Sequence, residues 1–252
     1  RQKLEILNSK LKKNNQSLEK ANEAKNKFFS IIAHDLRNPL SAFFATTQAL
    51  SCEYDHITEN DKKQLIDNMY ISSKNLSALL DNLLEWGKTQ IGHFTRKPKH
   101  INIYDLIADN INLVYTQANA KDINIISNVP AGTSVYADEK MLNLVLRNLV
   151  TNAIKFTGNK GTISITSKIE NNKRKISISD TGIGLKPSEL KKLFRIDVHH
   201  TTIGTQKEKG SGLGLILTKE FVELNNGELS VESKYGRGST FSFTIPIKKS
   251  KK

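Results

Sequence analysis

Leu4, Leu11 and Leu18 stand seven residues apart, with Leu7 and Ala21 at the alternate seam position and Lys, Glu, Asn and Gln between them. That heptad predicts an exposed coiled-coil helix, with Asn14 a polar residue in its seam. The register continues through Phe28, Ile32 and Leu36 without a breaker, so one helix is expected from near residue 1 to about residue 51. A bend is expected at Pro39, which has no N–H to give the carbonyl of Asp35. The polar run CEYDHITEND (52–61) reads as a turn, with Thr58 and Asp61 resembling a helix N-cap pair. Beyond it Leu65, Met69, Leu76, Leu79, Leu80, Leu83 and Leu84 trace an apolar face to Trp86, and Gly87 and Gly92 are expected to end the helix. Two antiparallel helices cannot cover stripes this broad, which predicts a second copy and a dimeric four-helix bundle.

After a linker at 91–100 the pattern changes to mixed elements. Helices are expected over 103–120, 138–157 and about 213–225. Strands are expected over 123–129, 162–169, 174–180, 228–234 and 239–247, with turns at Asn171-Asn172 and Gly236. Strands grouped with helices on one side predict an α+β two-layer sandwich. The chain is thus read as multidomain: a signalling helix over 1–27, an all-α hairpin over 28–90, the linker, the sandwich over 101–247 and a basic tail over 248–252.

Composition narrows this picture only modestly. Hydrophobic residues make up 37% and charged residues 25%, which suits a soluble chain with exposed helices. No run of about 18 apolar residues predicts a membrane span, and no signal peptide is visible. The chain opens on Arg1 and has only Met69 and Met141, so it reads as a piece of something longer, with a sensor or membrane anchor upstream. The single Cys52 suits a reducing cytosol. A net charge of +13 raises the question of nucleic acid. The lysines are scattered apart from KKSKK at the end, with no interleaved aromatics, so no nucleic-acid partner is expected.

Five stretches carry candidate chemistry. In FFSIIAHDLRNPL (28–40), His34 lies about 200° round the helix from Ile32 and so faces away from the core. Asp35 follows it, and Asn38 shares its face one turn on, so the group reads as a nucleophile with an acid/base partner. In LRNLVTNAIKFT, Asn148, Asn152 and Lys155 form one polar helical stripe, suited to a metal-bound polyphosphate: amide oxygens ligate Mg²⁺ and an ammonium pairs with phosphate. DTGIG places Asp180 at a strand end, able to accept from an exocyclic amine, with Gly182 and Gly184 allowing close backbone approach. GSGLGL brings Gly210, Gly212, Leu213 and Gly214 to a helix start, an anion site. Gly236, Gly238 and Thr240 enter the last strand as a second wall for a base. The polar stretch from Arg195 to Lys209 has the composition of a lid. Neither a Walker loop nor a Rossmann fingerprint is present.

Taken in order, these motifs resemble the ATP-binding domain shared by histidine kinases, gyrase, Hsp90 and MutL, and FFSIIAHDLRNPL resembles the phosphoacceptor box of sensor histidine kinases. The resemblance spans about residues 20–247. It implies that His34 is the phosphoacceptor, Asp35 its acid/base partner and Asn38 a residue that positions water for phosphatase action. It implies that Asn148 and Asn152 engage Mg²⁺ and the phosphates of ATP, Lys155 the phosphates, and that Phe156 lies near the nucleotide. Asp180 would hold the adenine amine within the surroundings of Gly182 and Gly184, Phe194 would anchor the lid, and Thr240 would lie near the adenine. Gly210, Gly212, Leu213 and Gly214 would form the phosphate-facing hinge. His199 and His200 match no role. A homodimer and a separate receiver protein carrying a phosphoaccepting aspartate are the implied partners. A gyrase- or Hsp90-like ATPase is the first rival, but those sites use a glutamate where this chain has Asn148, and Asn is no base. A basic DNA-binding or scaffold protein is the second, and it leaves the glycine boxes unexplained.

Overall fold

The computed structural model describes residues 2–90, 97–194, 204–206, 208 and 214–249; the side chains of His34, Asp35 and Phe28, with others along the first two helices, lie outside that description. The chain divides into a helical unit up to Glu85 and a mixed unit that begins at Trp86.

In the helical unit, α1 (Gln2–Cys52) runs through Pro39 as one helix, and α2 spans Glu59–Gln90. Ile32, Leu36, Pro39, Phe43, Thr46 and Leu50 recur at alternating steps of four and three, and all are buried or half-buried. Lys62, Leu65, Met69, Ser72, Leu76 and Leu83 repeat the pattern on α2. Each helix therefore covers one stripe. A second stripe stays open: Leu40, Phe44, Ile66, Tyr70, Leu80 and Leu84 are 42–67% exposed.

The expected turn is shorter than its polar run. Tyr54–His56 form a 3₁₀ turn, and α2 starts at Glu59. Thr58 caps it as expected, its hydroxyl accepting from the Asp61 N–H at 3.2 Å and donating to the Asp61 carboxylate at 2.7 Å. Lys62 pairs with Glu59 at 2.8 Å and stands over the Tyr54 ring at 4.0 Å. Gly87 does not end α2, which continues to Gln90. One interior glycine costs about 1 kcal/mol, too little to break so long a helix.

The mixed unit is the expected two-layer α+β arrangement. Its five-stranded sheet has the order β2-β4-β5-β7-β6: β2 (Asn124–Asn128), β4 (Thr162–Glu170), β5 (Lys173–Asp180), β7 (Gly238–Pro246) and β6 (Leu229–Lys234). Only the β2–β4 pair is parallel. The β4–β5 turn is made by Asn171 and Asn172 at φ 49° and 60°, left-handed values that Asn tolerates better than most residues. Helices α3 (Ile103–Asn119), α4 (Glu139–Phe156) and α6 (Gly214–Leu224) accompany the sheet. Ile163, Ile165, Ile176, Ile178, Phe243 and Ile245 alternate onto the core face and are at most 1% exposed. The opposite face is polar, with Ser177 bonded to Ser242 at 2.8 Å and Ser179 to Thr240 at 2.9 Å.

Three elements were not expected. β1 (Lys99–Asn102) and β3 (Ser134–Ala137) pair antiparallel as a separate small sheet, so the strand takes Lys99 and His100 out of the expected linker. Four residues carry too little alternation to be recognised locally. α5 (Pro187–Leu190) is a single turn. Among the described residues no helix is long and apolar enough to cross a membrane.

Candidate nucleotide site

Helix α4 is set by its two ends and its periodicity. Asp138 caps the start, its Oδ1 accepting from the N–H groups of Lys140 at 3.1 Å and Met141 at 3.3 Å. Its Oδ2 accepts from the Lys97 N–H at 3.0 Å, and its own N–H donates to Asn225 Oδ1 at 2.8 Å, so the chain entering the domain is tied to this helix start. Leu142, Val145, Leu146, Leu149, Val150 and Ala153 bury one face. Asn148, Asn152 and Lys155 lie half-buried on the other.

Their surroundings are specific. Asn148 gives its amide N–H to the hydroxyl of Thr218 on α6 at 2.7 Å, and its Oδ1 faces Asn152 Nδ2 at 3.5 Å. The first residue of α6, Gly214, lies so close that a Cβ there would meet the Asn148 carboxamide. Lys155 Nζ stands 4.8 Å from the centre of the Phe156 ring. Burial holds the Lys155 ammonium below the usual lysine range, and nearby Lys121 adds to this while Glu208 opposes it.

The DTGIG loop closes against the end of the same helix. Ile183 N–H donates to the Phe156 carbonyl at 3.1 Å, and Thr181 N–H to the Thr162 carbonyl at 3.1 Å. Gly182 has no room for a side chain: a Cβ would collide with the Phe156 carbonyl and with Asp180 Oδ1. Gly184 takes φ +64° and passes against the Lys234 carbonyl. Asp180 ends β5, almost buried, and its Oδ1 accepts from Gly182 N–H at 2.8 Å and Ser239 N–H at 3.2 Å. Burial pushes its carboxyl above the usual range, and the two N–H groups pull it partly back. Both donors meet Oδ1, so Oδ2 is the oxygen left for a ligand.

Thr240 is not placed as expected. Its side chain pairs with Ser179 on the polar face, opposite to that of Asp180. Ser239 is the β7 residue beside Asp180, a position that the inward alternation of Phe241, Phe243 and Ile245 already marked in the sequence. Phe194 sits half-buried in a turn after α5. Gly210, Gly212, Leu213, His199 and His200 lie outside the described residues. On α1, Asn38 is exposed, as are Ser30 and Ser41, which share the helical face of position 34. Nothing local in the sequence marks Lys121 or Thr218, and Thr205 and Glu208 stand out only as members of the polar stretch from Arg195 to Lys209, because their partners lie far along the chain.

Comparison with known proteins agrees with this fold. The family described as Histidine kinase-, DNA gyrase B-, and HSP90-like ATPase matches residues 137–249, and the His Kinase A (phospho-acceptor) domain matches residues 24–92. The chain belongs to the sensor histidine kinases. A sensor-like histidine kinase of Rhizobium meliloti is 31% identical over 90% of this chain and 44% of its own length. The autoinducer 2 sensor kinase/phosphatase LuxQ of Vibrio vulnificus is 31% identical over 88% of this chain and 26% of its own length. The chain therefore spans less than half the length of these relatives. Among solved structures, the histidine kinase AdeS of Acinetobacter baumannii superposes with a TM-score of 0.68 at 18% identity, over 86% of this chain and 98% of the other. Histidine kinase ThkA, in complex with the response regulator protein TrrA, gives 0.65 at 23% identity, over 87% and 61%. At such identities the two superpositions speak for the fold.

Proposed function

We propose that this chain is an ATP-dependent protein-histidine kinase core that phosphorylates its own His34 and hands the phosphoryl group to an aspartate of a separate response regulator. The observation that carries the ATP site is Asp180: an almost buried carboxylate whose Oδ1 is held by two backbone N–H groups and whose Oδ2 can accept from the adenine amine. Gly182 and Gly184 let backbone approach the base, with Ser239 in place of Thr240 as the β7 neighbour. Phe156 and Phe194 flank the nucleotide, Lys155 pairs with its phosphates, and the segment Gly210 to Gly214 supplies N–H groups to them.

Mg²⁺ fits the donor set. Asn148 and Asn152 offer hard amide oxygens, and Thr218 engages the Asn148 amide N–H so that its oxygen is turned to the Asn152 side, where Asn152 Nδ2 meets it at 3.5 Å and would have to give way to the ion. Among the described residues no group of three or more His, Cys, Asp or Glu could hold a metal, so the remaining ligands would be phosphate oxygens and water. Bound there, Mg²⁺ would offset phosphate charge.

The reaction is an in-line displacement. A neutral imidazole nitrogen of His34 attacks the γ-phosphorus, the bond to the β,γ-bridging oxygen breaks, and ADP leaves. The Asp35 carboxylate takes the remaining imidazole proton. Asn38 would orient water when the phosphoryl group is hydrolysed instead. The open second stripe of α1 and α2 supports a homodimer through this hairpin. LuxQ is named a kinase/phosphatase and ThkA is seen with a response regulator, which supports the second reaction and the receiver partner. A sensor domain upstream, in a cytoplasmic or membrane-anchored full-length protein, completes the proposal.

The test is incubation with ATP labelled at the γ-phosphate. Label on protein that is acid-labile and alkali-stable marks a phosphorus–nitrogen bond. His34→Gln should abolish it while ATP binding persists; label retained in that variant would sink the assignment.

A further inference from the structure

Lys121 lies between α3 and β2 and is 3% exposed. Its ammonium meets the carbonyls of Ile154 at 3.0 Å and Lys155 at 3.3 Å, the hydroxyl of Thr205 at 2.9 Å and the carboxylate of Glu208 at 2.6 Å. The two carbonyls belong to the last turn of α4, where no helical N–H is left to bond them and a cation is favoured. Capping would by itself explain a lysine here. It does not explain why Thr205 and Glu208 also converge on the same ammonium.

Those two residues belong to a turn that is organised around Glu208. Gly204 N–H donates to the Glu208 carbonyl at 2.8 Å, and Gln206 N–H to its Oε2 at 2.7 Å. The turn is seated on α4 by Thr205 N–H to the Lys155 carbonyl at 3.0 Å and by the Thr205 hydroxyl, 2.9 Å from the Thr157 carbonyl. Gly204 lies against the aliphatic stem of Lys155, where a Cβ would come within 2.6 Å of its Cγ. The other Glu208 oxygen is the one bound to Lys121. A buried ammonium therefore joins three pieces of chain at the base of the Lys155 side chain.

We propose that Lys121 is a positioning residue for the polyphosphate: through Glu208 and Thr205 it clamps the turn of Gly204, Thr205 and Gln206 onto the end of α4, and the clamped turn sets where the Lys155 ammonium stands. The proposal rests on the ATP site described above. Its ligand is the phosphate chain rather than the base, which separates it from a purely structural cap.

The decisive variant is Glu208→Ala, because it releases the turn while leaving Lys121 on the two α4 carbonyls. Binding of a non-hydrolysable ATP analogue with Mg²⁺ should weaken about tenfold, whereas adenosine, which has no phosphates, should bind as to the parent. Amide exchange at Thr205 and Gln206 should accelerate while the α4 amides stay protected. Glu208→Gln, which keeps a hydrogen-bonding oxygen, should recover most of the affinity. Lys121→Met should show the same selective loss, with a lower Tm from the lost cap, and if it fails to fold Glu208→Ala still decides. Unchanged analogue binding in Glu208→Ala, or an equal loss for adenosine, overturns the proposal while leaving the ATP site standing. A parent chain that binds neither ligand overturns the site and the proposal together.

Discussion

The amide of Asn148 donates to the hydroxyl of Thr218 at 2.7 Å, joining α4 to α6 across 70 residues of sequence. Thr218 is 2% exposed, so water does not substitute readily for this bond. The bond decides which end of a carboxamide faces the neighbouring Asn152. Thr218→Val keeps the shape and removes the acceptor. The unpaired amide should cost about 1–3 kcal/mol of stability. Binding of ATP with Mg²⁺ should weaken more than binding of ATP with the metal chelated. Calorimetric titration in both buffers checks this, and equal losses would remove the case for a metal-facing Asn148.

Asp180 sets stability against function. Its carboxyl is raised by burial, so the folded state favours the protonated form. A folded pKa above the unfolded one contributes stability that is full below the unfolded value and is lost as pH rises through the folded value. At neutral pH the ionised group is therefore a liability to the fold. Asp180→Asn should raise Tm at neutral pH, with the gain vanishing in acid, because the amide oxygen can still accept from Gly182 and Ser239. The same change should weaken ATP about tenfold to a hundredfold, through a lost charged hydrogen bond worth about 1.5–3 kcal/mol. In the parent, ATP affinity should fall as pH drops through the raised pKa. Thermal melts and ATP titrations across pH read both effects.

Gly182 and Thr240 should separate cleanly. In Gly182→Ala the new Cβ must displace either Phe156 or Asp180, breaking the 3.1 Å bond from Ile183 or the 2.8 Å bond to Asp180. ATP affinity should drop by at least about tenfold, the scale of one lost hydrogen bond in the site. Thr240→Ala removes a partner of Ser179 on the far face and should leave ATP binding close to the parent's. Comparable losses in both variants would show that the base is held differently.

Phe44 is 67% exposed in the single chain, so Phe44→Asp should cost the isolated fold little. In a four-helix bundle the same carboxylate would be buried without a partner, at a cost of several kcal/mol. Light scattering should find a dimer for the parent and a folded monomer for the variant at micromolar concentration, with ATP binding unchanged. A parent that is monomeric, or a variant that remains dimeric, would count against the bundle.

Local order was open to reading from the chain alone. Apolar spacing over 139–156 and alternation over 173–180 required α4 and β5, since helices and strands impose fixed periods on whatever faces the core. The stripe Asn148, Asn152, Lys155 follows from the first period, and Asp180 from the end of the second. Tertiary structure decided what those side chains touch. Lys121 reaches Glu208 across 87 residues, and the small β1–β3 sheet joins strands of four residues each, too short to declare themselves. The choice of Ser239 over Thr240, by contrast, was already open in the sequence, through the inward alternation of Phe241, Phe243 and Ile245. Periodicity is a property of adjacent residues and survives in the sequence; a hydrogen-bond partner brought by another element leaves no local trace, because it is selected by packing.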